Sequence, residues 1–99
     1  MTSANMLFKF KEKSSFEEAE GTLRLARLAV ESLFGLERTN LEANVTVDRH
    51  RRRFAIDVSQ RVGRTLALVF AGYARREFDA DDMHVEHDQL VSPLAGELV

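Results

Sequence analysis

Cysteine is absent from the 99 residues, which excludes disulfide bonds, thiolate metal sites and a thiol nucleophile. Tryptophan is absent too, and the single proline, Pro93, stands so late that no proline interrupts the elements before it. Neither sign of charge dominates, with 14 Lys and Arg against 16 Asp and Glu and a net charge of −2. A chain so balanced has no overall attraction to nucleic acid or anionic lipid, so any such binding must be local. No run approaches the ~20 apolar residues of a membrane-spanning helix, and Met1 to Lys13 lacks the unbroken apolar stretch of a signal peptide. The resulting expectation is one cytoplasmic domain that does not enter a membrane and is large enough to bury a core of its own.

What the chain does contain is hydrophobic periodicity. Met1 to Asn5 are small and polar and are expected to form a flexible N-terminus. From Met6 to Lys11 the residues alternate, with Met6, Phe8 and Phe10 on one side and Leu7, Lys9 and Lys11 on the other, the period of a half-buried strand. Ser15 followed by Glu18 has the spacing of a capping box. Behind it Phe16, Ala19, Leu23, Ala26, Val30, Leu33 and Phe34 form a helical stripe that Gly35 is placed to end. Glu20 with Arg24, and Arg27 with Glu31, are spaced as exposed helical pairs, and Leu28 is the apolar exception among them.

The pattern turns non-helical from Leu36 to Asn40 and alternates again from Leu41 to Asp48, which predicts a second strand. Asp48 to Arg51 read as a hairpin turn, and Arg52 to Val58 as a third strand with Phe54, Ile56 and Val58 inward. Ser59 is the expected cap of a long helix reaching Phe78. Val62, Leu66, Val69, Phe70 and Tyr73 supply its apolar side. Gly63, Ala67 and Ala71, four apart, leave room for a neighbouring backbone to approach. A fourth strand is predicted from Met83 to Glu86, making residues 6–88 one domain and residues 89–99 an apolar tail suited to covering a sheet face.

The order strand, helix, strand, strand, helix, strand predicts an α+β, ferredoxin-like βαββαβ sandwich, a four-stranded antiparallel sheet with two helices on one face. Right-handed crossovers place the first and third strands at its centre. Such an architecture serves binders, sensors, enzymes and dimerisation units alike, so function has to be argued from sites.

Two surfaces stand out. Arg61, Arg64 and Arg75 share the outer side of the long helix with Leu68, and Leu28 is the matching exposed apolar residue on the first helix. These five residues are the expected partner-binding set of a non-enzymatic interaction module. A homodimer is favoured because pairing with a second copy covers edge strands, and an unidentified protein partner is the other occupant of such a surface.

The alternative is nucleic-acid or phosphate binding through Arg49, Arg51, Arg52 and Arg53 with Lys9 and Lys11. Arg52 to Ile56 resembles in part the RNP1 pattern of RNA-recognition motifs. Such a motif stacks bases on aromatics of the open sheet face, whereas the alternation here turns Phe8, Phe10 and Phe54 into the core.

Catalytic and metal chemistry find little support. His84 and His87 fall on opposite sides of a strand, and His50 is the only other histidine, so zinc binding is not expected. Ser14, Ser15 and Ser59 are better placed as helix caps than as nucleophiles, and no catalytic constellation or cofactor motif is present. A sensor or enzyme pocket would require His84, Asp57 and Lys9 to converge on the open face.

Overall fold

The computed structural model describes residues 4–89. The apolar tail expected over residues 89–99 therefore lies, apart from Gln89, outside the described residues. Strand β1 spans Ala4–Phe10 and so takes in Ala4 and Asn5, which the sequence assigns to a flexible end. Helices α1 (Lys13–Phe34) and α2 (Leu36–Glu42) follow, then the hairpin strands β2 (Val45–Asp48) and β3 (Arg53–Asp57), helix α3 (Arg61–Glu77) and strand β4 (Met83–Gln89). The sheet is antiparallel throughout, in the order β2-β3-β1-β4, with β3 and β1 central. The fold is thus α+β with three helices where the sequence predicts two.

Alternation decides which face is covered. Phe8 and Phe10 of β1, Phe54 and Ile56 of β3 and Met83 of β4 point to one side and are buried against α1 and α3. Phe54 holds the aromatic cluster together, stacking on Phe16 at 5.0 Å between ring centroids and meeting Phe10 and Phe70 edge-on at 5.8 Å. Burial of each such ring stabilises the fold by about 1.5–3 kcal/mol. Gly63 sits where α3 crosses the end of β3, and a Cβ built there would lie 2.0 Å from the Asp57 carbonyl oxygen. The expected close backbone approach is therefore seen at Gly63, while Ala67, Ala71 and Ala74 are buried along the same helix.

Several local expectations are corrected. The segment Leu36–Glu42 is helical, so the second strand starts at Val45 rather than Leu41, and Leu41 is exposed. Gly35, at φ 88°, ends α1 as expected, and α2 starts on its far side. Thr39, fully buried, anchors α2 by donating its hydroxyl hydrogen to the Gly35 carbonyl at 2.8 Å.

None of the three predicted serine caps forms, since α1 begins after Glu12 and α3 after Gln60, both without a side-chain cap. The Ser15 hydroxyl donates to the Asp82 carboxylate, tying the start of α1 to the turn before β4. Ser59 donates through its N–H and hydroxyl to the Asp57 carboxylate. The end of the wheel stripe is also revised, because Leu33 and Tyr73 are exposed whereas Thr22 is buried between α1 and α3. Glu20 pairs with Arg49 rather than Arg24, while Arg27 and Glu31 do pair, at 3.6 Å. No helix among the described residues is long and apolar enough to cross a membrane.

Candidate interaction surfaces

The partner-binding residues expected from sequence all lie on the outside of the helical layer, but they do not all adjoin. Leu68 is 68% exposed and Leu28 58% exposed, on α3 and α1 respectively. Leu68 lies at the rim of two hollows. One, of about 160 Å³, is almost wholly apolar and opens between α3 and the β1–β4 edge, lined by Met6, Val58, Arg64, Ala67, Leu68 and His87. The other runs between α1 and α3, where Leu68 meets Ala29, Gly72 and Tyr73. Leu28 lines neither.

Arg61 and Arg75 are exposed at the two ends of α3. Arg64 bends back instead, its guanidinium donating to the carbonyls of Val58 and Ser59 at 3.3 Å each. Its charge is therefore spent partly on its own chain, beside the apolar hollow.

Four more exposed leucines escaped sequence reading. Leu25 and Leu33 of α1, and Leu36 and Leu41 of α2, are at least 60% exposed. Leu33 was hidden by its place inside the helical arc, since a wheel does not show that the covering elements have ended. Leu36 and Leu41 became visible only once α2 was recognised as a helix. A count of leucines outside the α1 stripe would have flagged Leu25 alongside Leu28.

The basic run does not form one surface. Arg49 turns toward the helical layer and pairs with Glu20 at 2.9 Å. Arg51 and Arg53 share Asp48, at 3.9 and 3.8 Å, and Lys9 pairs with Glu86 at 3.2 Å. Arg52 takes the left-handed backbone conformation that closes the hairpin, φ 54°, and directs its Nε toward the Phe10 carbonyl. Lys11 borders a hollow with Asp79, Asp81 and Asp82. Each side chain that was to meet phosphate thus has an acidic or carbonyl neighbour already, and Phe8, Phe10 and Phe54 are buried away from the open face.

On that open face Lys9, Glu86 and His84 do come together. His84 Nε2 lies 3.1 Å from Glu86 Oε2, and Lys9 faces His84 across the β1–β4 ladder. The hydrogen bond and then the charge of Lys9 hold the Glu86 carboxyl below its ordinary pKa, and His84 adds to the effect. Asp57 does not join them, since it pairs with Asn5, four residues along β1 from Lys9 and so about 13 Å away. Among the described residues no three histidine or acidic groups converge as metal ligands. Comparison with protein-family models, with curated proteins and with solved structures finds no match to this chain.

Proposed function

We propose that this chain is a non-enzymatic protein-interaction module that assembles as a homodimer. The observation that supports it is the set of exposed leucines on the helical layer: Leu25, Leu28, Leu33, Leu36 and Leu68 are each at least 58% exposed. Single exposed leucines are ordinary, but five of them outside one face of a domain this small favour a surface that is covered in use. A ferredoxin-like description suits the same reading. Its support is the succession of strands and long helices around central β1 and β3, with α2 as an addition before β2.

The test is light scattering on the eluting protein at low and high salt, with and without a mixed pool of RNA and DNA. The expected result is a dimer mass that resists salt and ignores nucleic acid, because apolar contacts are not screened. Leu68→Asp should lower that mass toward the monomer without changing the circular dichroism spectrum. A wild-type protein that stays monomeric at all concentrations would overturn the proposal. A shift with nucleic acid at low salt alone would instead favour the basic hairpin.

A further inference from the structure

We propose that the dimer forms through the free edge of β4, in antiparallel register about a two-fold axis at Val85, so that His84 of each chain faces Glu86 of the other. This inference rests on the homodimer proposed above and names its seam. Among the described residues β4 is an outer strand of seven residues, longer than the four-residue edge offered by β2. Its backbone polarity is set by the ladder with β1. The Lys11 N–H donates to the Asp82 carbonyl, and in the same register Lys9 faces His84 and Leu7 faces Glu86. In an antiparallel ladder the intervening residues then turn their N–H and C=O groups away from β1. The groups presented at the free edge are therefore those of Val85 and His87, with the Met83 carbonyl, since the Met83 N–H is held by Asp79.

A second β4 meets this pattern only when odd-numbered residues oppose odd-numbered ones. Several registers satisfy that condition, and side-chain pairing across the seam selects among them. An axis at His84 sets that histidine against its own copy, and an axis at Glu86 does the same with two carboxylates. An axis at Val85 sets His84 against Glu86 twice over, on the open face where the structure already brings the two side chains together within one chain. In this register each Val85 bonds the backbone of its copy, and each His87 N–H reaches the Met83 carbonyl opposite.

The other face of the seam fits as well. Val85 is only partly buried against the core, and an added strand with valine at the same point covers it. Leu68 and His87 border the apolar hollow beside that edge, so the second copy also shields the most exposed apolar side chain on α3. Symmetric closure leaves no edge for further growth on this side.

Because the protein has no cysteine, the register can be read by cross-linking. His84 and Glu86 fall on non-hydrogen-bonded positions of the new ladder, with Cα atoms about 4.5 Å apart, inside the range that disulfides span. His84→Cys and Glu86→Cys chains, co-expressed and oxidised, should give a covalent dimer on a non-reducing gel, up to about half the protein for random pairing of two chains. Each variant alone should stay uncross-linked. A dimer by light scattering whose mixed variants do not cross-link would sink this seam and leave the homodimer standing. Cross-linking of Glu86→Cys alone would replace it with another register. A monomer throughout would remove both.

Discussion

Gly63→Ala is expected to destabilise the fold although it replaces the second-worst helix former with the best. In an open helix interior the exchange is worth about 1 kcal/mol in favour of alanine. At Gly63 the new methyl would stand 2.0 Å from the Asp57 carbonyl oxygen and 3.3 Å from that of Glu42, both backbone atoms. Ordinary contact requires well over 3 Å, so α3 must move about 1 Å away from the end of β3. Overpacking of this kind costs typically about 1–3 kcal/mol, and a backbone obstacle belongs at the upper end. Set against the propensity gain, the net loss is about 2 kcal/mol, out of a total stability of about 5–15 kcal/mol. With a urea slope of about 1–3 kcal/mol/M the midpoint should fall by about 1 M. Gly72→Ala supplies the control on the same helix, where a Cβ meets nothing within 4 Å, and should raise stability by about 0.5–1 kcal/mol. Equal midpoints for the two variants would refute the close approach of α3 to β3.

Two further outcomes follow from the contacts. Ser15→Ala should cost about 1 kcal/mol and Asp82→Ala somewhat more, because Asp82 also accepts from the Glu12 N–H. The two should be strongly non-additive in a double-mutant cycle because they share the Ser15–Asp82 bond. Glu18→Ala should be near neutral in urea titration, whereas a capping box at Ser15 would couple it to Ser15 instead. By NMR titration, Glu86 should ionise below an ordinary glutamate, and Lys9→Met should raise its pKa toward the ordinary value. Since the folded-state pKa is the lower one, the stability from this pair is present above the unfolded glutamate pKa and is lost as pH falls through the folded value. It should be small, as the pair is half exposed and screened by salt.

The parts legible in sequence were those with a long, regular burial period. β1 and β3 alternate because one face of each is buried, and α1 shows its stripe over six turns before a glycine that tolerates φ 88°. The small-residue spacing of α3 pointed to a backbone neighbour, which proved to be the end of β3. α2 was illegible for a physical reason: two turns with one buried residue carry no stripe. Its helicity depends on Thr39 bonding back to Gly35 and on the Arg38–Glu42 pair at 3.2 Å. The serines misled because their hydroxyls found carboxylates, one of them 67 residues away, that no local pattern can register.

The same non-locality governs the candidate surfaces. Arg49 to Arg53 is the densest charge in the chain, yet its ion-pair partners are Glu20 on α1 and Asp48 at the near end of the hairpin. Folding brings these two carboxylates to Arg49, Arg51 and Arg53, so the run's charge is partly balanced within the fold. Leucine has no such remedy. Leu25, Leu28 and Leu68 lie where no described element covers them, and among the described residues no strand pairs with the outward backbone groups of β4. Among the described residues, uncovered leucines and a free strand edge are thus the features a partner could cover. Under the proposed homodimer a second copy would bring a strand to that edge and cover Leu68 beside it, and the association should hold as salt rises.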